Sequence, residues 1–213
     1  MTDDVMTEPT PGNASDSMRR RERKRVHTRR RLYEAAMQLF EEKGYEATTM
    51  DEIAELADTA RGTAYNYYPK KSAFLEEWTE RRRRQVEADL DNAGLGDRPT
   101  STLLRDYLRD LVRINLAQAD LTRVLLPAWV KSGGPIDESP SLARVLTTYI
   151  EAGQQRGEIR ADCDPERAGH LIRNAYLGAL YLWLRADSQK QPVDLQAAVD
   201  ESIDIILRGL DPR

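Results

Sequence analysis

From Thr49 to Lys71 the chain reads T-M-D-E-I-A-E-L-A-D-T-A-R-G-T-A-Y-N-Y-Y-P-K-K. The pattern predicts a short helix ending near Ala57, a tight turn at Asp58-Thr59-Ala60, and a second helix over Arg61–Tyr68 stopped by Pro69. Thr49 followed three residues later by Glu52 is a capping box, and Ala54 is small where two helices must cross closely. The second helix carries Arg61, Thr63, Tyr65, Asn66 and Tyr67. An Asn amide can pair bidentately with adenine and a guanidinium with guanine. Hydroxyls of Thr63, Tyr65 and Tyr67 can donate to phosphate oxygens, which fixes register without reading sequence. Lys71 opens the next helix, at an end that favours anions. Tyr68 falls at the inward position. The competing reading is a helical hairpin with surface tyrosines. The basic flank and the turn spacing favour a DNA-reading unit.

Several elements must hold this unit in place. Nine Arg/Lys lie within the 13 residues Arg19–Arg31, a phosphate-seeking arm or a solvated helix extension. Leu32, Ala35, Ala36, Leu39 and Phe40 then form the stripe of an amphipathic helix that stops at Gly44. A fourth helix carries Phe74, Leu75 and Trp78 through the basic run Arg81–Arg84 toward Leu90. After a break at Asn92–Thr100, everything reads helical: Leu104–Asn115; Leu121–Val130 with Pro127 as a kink or stop; Leu142–Arg156 ended by Gly157; Pro165 to about Ala186 behind an Asp164 cap; and Leu195–Leu210. Ser132–Pro140 is expected to be a loop. No strand or internal repeat is evident, so the fold class is all-α.

Charge is segregated along the chain. Met1–Met18 carries four acids and no base, residues 19–84 carry 17 Lys/Arg against 12 Asp/Glu, and residues 85–213 carry 15 against 20. A basic head on an acidic body fits a nucleic-acid partner at one end only. Met1–Ser17 is rich in turn formers and lacks periodicity, so residues 1–18 are expected to form a disordered tail. No apolar run spans a membrane and no apolar core marks a signal peptide. The single cysteine, Cys163, points to a reducing compartment, and a cytoplasmic location is expected. Two histidines, His27 and His170, with one cysteine leave no protein-only zinc set, and no nucleophile stands beside either histidine. Neither catalysis, metal nor cofactor is expected.

The N-terminal third resembles the TetR/AcrR family of transcriptional repressors. The match runs through Arg29, Leu32, Ala35-Ala36, Leu39-Phe40, Gly44-Tyr45, Thr48-Thr49, Ile53-Ala54, Ala57, Gly62-Thr63, Tyr65, Tyr68, Lys71 and Phe74. The resemblance implies phosphate contacts from Thr49, Tyr65, Tyr67 and Lys71, base-facing positions at Arg61, Thr63 and Asn66, and Gly62 within the same interface. Two departures stand out. Asp58 occupies a turn position where the family usually has glycine, and Asp tolerates positive φ better than most residues. Ala60 replaces the usual Ser cap of the second helix, at a cost of about 0.5–2 kcal/mol unless Thr59 caps instead.

The resemblance divides the chain into the tail, a helix-turn-helix domain over 19–71 and a C-terminal helical ligand-binding and dimerisation domain over 72–213. It implies a ligand-responsive regulator, in the main a repressor, that binds a palindromic double-stranded DNA operator as a homodimer. The long helix beginning at Pro165 is apolar on two faces. One of them, Leu177, Leu180, Tyr181 and Leu184, together with Val199 or Ile205, is assigned to an intersubunit four-helix bundle; filling a thick monomer core is the alternative. Tyr107, Asn115, Trp129, Tyr149, Asn174, Tyr176 and Trp183 are amphipathic side chains suited to the wall of a small-molecule pocket, though each alone fits ordinary packing. The expected mechanism is a population shift: an amphipathic or apolar effector favours a conformer whose fourth helix mis-spaces the two reading heads. A helical interaction adaptor, or a regulator without a small-molecule ligand, is the competing function.

Overall fold

The computed structural model describes residues 11–92, 98–137, 141–186 and 193–210. Ten helices and no strand occur among the described residues: α1 (Pro11–Lys43), α2 (Met50–Leu56), α3 (Arg61–Tyr67), α4 (Ser72–Asn92), α5 (Thr100–Ala117), α6 (Ala119–Lys131), α7 (Gly134–Asp137), α8 (Leu142–Gln155), α9 (Pro165–Arg185) and α10 (Leu195–Leu210). The chain divides between Phe74 and Leu75 into two compact units. No described helix is long and apolar enough to cross a membrane.

The first unit is a three-helix head. Leu32, Ala36 and Phe40 of α1 are fully buried, with Ile53 of α2 and Ala64 of α3. Tyr68 is buried, stacks on Phe74 with ring centroids 3.8 Å apart, and donates its hydroxyl to the Arg29 carbonyl. Gly44 ends α1 at φ 89°, its N–H bonded to the Phe40 carbonyl. The capping box forms: Thr49 Oγ1 accepts from the Glu52 amide, and the Glu52 carboxylate accepts from the Thr49 amide at 2.8 Å. Asp58 takes the turn at φ 47°, the one positive-φ non-glycine residue among those described. Arg31, counted in the basic arm by its sequence position, instead clamps this turn, donating to the Ala57 and Asp58 carbonyls and to the Asp58 carboxylate.

Ala60 sits extended at the α3 N-cap with no side-chain hydrogen bond to the helix, and the Thr59 hydroxyl goes back to the Ala54 carbonyl instead. The cap is therefore missing. Ala60→Ser is expected to stabilise the head by about 1 kcal/mol, read as a higher melting temperature of the purified protein.

The second unit packs α5, α8, α9 and α10 around Leu104, Leu108, Leu146, Ile150, Ile172 and Ile203. α8 and α9 approach closely at Gly169, where a Cβ would lie 2.4 Å from Thr147 Oγ1 and 2.7 Å from the Ala143 carbonyl oxygen. Asp164 caps α9, accepting from the Glu166 and Arg167 amides ahead of Pro165. Glu158 closes the start of α5, accepting from the Thr100 amide at 2.6 Å and its hydroxyl at 2.7 Å, beside Arg156.

These carboxylates set the acid limb of stability. Hydrogen bonds from Lys43 and Thr49 lower Glu52, and those from Arg156 and Thr100 lower Glu158, each to about 2 from the usual 4.5. The unfolded chain thus binds more protons between these values, so stability is full above about pH 4.5 and is lost as pH falls toward 2. In melts from pH 7 to pH 2.5, Glu52→Gln and Glu158→Gln are expected to lower the melting temperature at pH 7 and flatten the decline below pH 4.5.

Three features differ from expectation. Helix extends back to Pro11, into the segment expected to be a disordered tail; residues 1–10 lie outside the described residues. Of the two outcomes expected at Pro127, a kink or a stop, the stop does not occur: the residue lies inside α6, which continues to Lys131. The expected loop 132–140 carries the single turn α7, and its residues 138–140 are outside the described set.

Candidate nucleic-acid interface and inner cavity

Burying Ala64 and Tyr68 turns the opposite face of α3 to solvent. Arg61, Gly62, Tyr65 and Asn66 are exposed, and Thr63 and Tyr67 half-buried. Arg61 pairs with Asp51 at 2.8 Å and lies 5.7 Å from the Tyr65 ring centroid. Both partners of the Arg61 pair are mostly exposed, so the pair is worth little and a DNA group can displace it. Beside this face, an open groove of about 490 Å3 is lined by Thr63, Asn66 and Tyr67 of α3 and by Arg25 and Arg29 of α1. Arg25 and Arg29 stand one helical turn apart, which puts both on the α3 side of α1. Arg19 to Arg25 are solvent-exposed throughout. Thr49 is exposed at the start of α2.

Lys71 does not point outward. Its ammonium donates to the carbonyls of Tyr45 at 2.7 Å and Thr48 at 2.9 Å, reaches that of Glu46 at 3.3 Å, and lies 4.4 Å above the Tyr45 ring. Burial lowers its pKa. The loop between α1 and α2 turns three carbonyls toward one point, and the cation neutralises them; it is a staple of the head.

In the second unit, a cavity of about 50 Å3 opens between α4, α5, α6, α8 and α9. Of the seven pocket residues expected from sequence, Asn115, Trp129 and Tyr176 line it. Asn115 Nδ2 donates to the Tyr176 hydroxyl and to the Leu111 carbonyl, both at 2.8 Å, and Thr122 donates to the Asn115 carbonyl. The other four lie elsewhere. Tyr107 is fully buried, edge-on to Tyr149, and burial raises its phenol pKa. Asn174 is exposed and accepts from Arg173, and Trp183 packs under the Arg123 guanidinium at 4.2 Å.

The dimer assignment is corrected in part. Leu177 and Leu180 are buried and line the cavity, and Val199 is buried, so none of these can form a face for a second chain. Tyr181 and Leu184 are half-buried, and Ile205 is 65% exposed. The exposed apolar side chains of α9 are Leu171 and Leu182, on its other face. Gly178 lies on that face with open space where a Cβ would stand.

The sequence model for bacterial regulatory proteins of the tetR family matches residues 32–78, which span the end of α1, the helix-turn-helix and the start of α4. Over these residues the chain is similar to the TetR family of bacterial transcriptional regulators. A relative, the HTH-type transcriptional repressor KstR of Mycolicibacterium smegmatis, is 28% identical over 160 residues, covering 73% of this chain and 76% of its own. The repressor DhaR of a Mycobacterium species is 23% identical, covering 80% of this chain and 88% of its own. The TetR-family repressor FadR of Thermus thermophilus, solved in complex with lauroyl-CoA, superposes with a TM-score of 0.69 at 26% identity, covering 87% of this chain and 96% of its own.

Two sets of residues escape a reading of the sequence as charge runs. Arg82 and Arg83 line the cavity from α4 and Arg173 from α9, each under 9% exposed. The signal for Arg82 was present: Trp78, Arg82 and Val86 recur at four-residue spacing on a buried stripe. Arg25 and Arg29 were hidden in the arm in the same way.

Proposed function

We propose that the protein is a repressor that binds a two-fold symmetric operator as a homodimer, and that a small amphipathic molecule in the inner cavity weakens that binding. The observation that carries the DNA reading is the outward face of α3. Arg61, Thr63 and Asn66 meet base edges, with Gly62 allowing close approach of the backbone. Thr49, Tyr65, Tyr67 and the arginines of α1 hold phosphates. KstR and DhaR are repressors, which supports repression here.

A single helix-turn-helix reads a few base pairs, and two related by symmetry read two half-sites. The Leu171–Gly178–Leu182 face of α9 and Ile205 of α10 supply the apolar surface for pairing. FadR holds lauroyl-CoA, which supports a small-molecule effector. The coupling element is α4. It starts at Ser72, within the residues matched to the family's DNA-binding region, and its Trp78, Arg82 and Arg83 line the cavity. A ligand that binds better when those side chains are displaced lowers operator affinity by the same factor.

The test is selection of an operator from random duplexes, followed by titration at several salt concentrations. Asn66→Ala is expected to cost about 1–3 kcal/mol and to relax preference at one base position per half-site, whereas Arg23→Ala weakens binding to every duplex alike. Equal affinity for all duplexes at matched salt overturns the reading.

A further inference from the structure

We propose that the effector is a neutral carbonyl compound with an apolar body, its oxygen accepting a hydrogen bond from the Trp78 indole N–H. This rests on the reading that the inner cavity takes the effector.

Trp78 of α4 is among the residues lining the cavity and is 2% exposed. Its Nε1 is buried, and no acceptor among the described residues lies within hydrogen-bonding distance of it. An indole N–H donates and accepts nothing, so an acceptor is what it lacks. A buried donor in this state is unfavourable, and a ligand that supplies the missing oxygen removes the penalty on binding. The Arg82 guanidinium lies 3.9 Å from the centroid of the same ring. A cation over the ring draws electron density from the indole and makes its N–H the stronger donor.

The neutral polar groups beside it are engaged. Thr79 donates its hydroxyl to the Glu76 carbonyl at 2.9 Å. Asn115 Nδ2 uses its hydrogens on the Leu111 carbonyl and the Tyr176 hydroxyl. Arg82, Arg83 and Arg173 at the same wall also hold interactions within the chain. Five leucines and Trp129 make up most of the remaining wall. An apolar body gains from burial against it, and a neutral carbonyl avoids the desolvation that a charged group would suffer there. At about 50 Å3 the cavity is about a third of the roughly 150 Å3 that holds benzene in an apolar protein interior. The ligand therefore binds a form in which the walls have parted. Trp78 stands on the second turn of α4, so a bond to its indole acts on the coupling helix itself.

The probes are three ketones: cyclohexanone, acetophenone and 2-octanone. Each is paired with the hydrocarbon in which a methylene replaces the carbonyl oxygen: methylenecyclohexane, α-methylstyrene and 2-methyl-1-octene. The chain has three tryptophans, so a proton–nitrogen spectrum of the labelled protein shows three indole N–H signals. Trp129→Phe and Trp183→Phe each remove one, which assigns Trp78 without altering it. At least one ketone is expected to move the Trp78 indole proton downfield, and its hydrocarbon partner is not. By calorimetry, the ratio of ketone to hydrocarbon affinity is expected to fall about 5–50-fold in Trp78→Phe, which keeps an aromatic ring and loses the donor. Cooperative melting shows the variant to be folded, and the spectrum of the unaltered protein carries the test by itself. No ketone binding, a ketone that leaves the Trp78 signal unmoved, or a hydrocarbon that moves it as far as its ketone overturns the proposal. So does an unchanged affinity ratio in a folded Trp78→Phe protein. The effector reading falls separately: a ketone held by Trp78 that leaves operator affinity unchanged keeps the site and removes the coupling. Hydrocarbons that release operator as well as their ketones keep the coupling and remove the hydrogen bond.

Discussion

Leu182→Glu is expected to give a folded monomer that binds its operator about a hundredfold more weakly than the unaltered protein. Leu182 is 59% exposed on α9, so within one chain a carboxylate there stays in water and leaves stability nearly unchanged. Across a paired face the same carboxylate is stripped of water opposite apolar side chains. That costs several kcal/mol, and about 2.7 kcal/mol is already a hundredfold. Gly178 adds independent support. A glycine within a helix costs about 1 kcal/mol relative to alanine, yet beyond its chain neighbours and the backbone of its own helix turns nothing lies within 4 Å of the place its Cβ would occupy. Close approach by a second helix would account for it. Leu116→Glu is the control, since Leu116 is 42% exposed on α5, a helix that supplies no residue to the proposed face. Sedimentation should report a dimer for the unaltered protein and for Leu116→Glu, and a monomer for Leu182→Glu. A Leu182→Glu protein that stays dimeric with full operator affinity removes α9 from the interface.

What the sequence made legible was local. The capping box at Thr49 and Glu52, the positive-φ turn at Asp58, the missing cap at Ala60 and the Asp164-Pro165 helix start each depend on a few neighbouring residues. Each is read from one stretch of chain. The two apolar faces of α9 were also visible, but periodicity does not say which faces inward. That choice is made by α8, which packs across Gly169 and draws Ile172, Tyr176 and Leu180 into the core, leaving Leu171 and Leu182 outside. The arginines of the cavity were obscure for a related reason. In Arg81–Arg84 four like charges look like one solvated face, yet a helix turns them through all directions. Arg82 and Arg83 are buried while Arg84 is exposed. Of the expected pocket residues, those tied into the Asn115–Tyr176 hydrogen bond met at the cavity, and Tyr107 and Trp183 were absorbed by packing elsewhere.

Lys71 separates a role in folding from a role in DNA contact, and Lys71→Met distinguishes them. The substitution keeps most of the stem and removes the ammonium that holds the Tyr45, Glu46 and Thr48 carbonyls and sits over the Tyr45 ring. A hydrogen bond from a charged donor is worth about 1.5–3 kcal/mol and a cation over an aromatic face about 0.5–2 kcal/mol. These terms overlap rather than add, so a loss of about 2–4 kcal/mol from the head is expected. In a small three-helix unit that is a large part of the total stability. The head should then melt well below the rest of the chain, and operator affinity should fall steeply on warming while recovering in the cold. A phosphate contact behaves otherwise: its loss weakens binding at every temperature and lowers the slope of log affinity against log salt by about one. The geometry places Lys71 among carbonyl oxygens, so the expected result is an unchanged salt slope with a shifted head transition. A reduced slope with unaltered melting would return Lys71 to the DNA interface and leave the α1–α2 loop to be held by Thr48, whose hydroxyl donates to the Gly44 carbonyl at 2.9 Å.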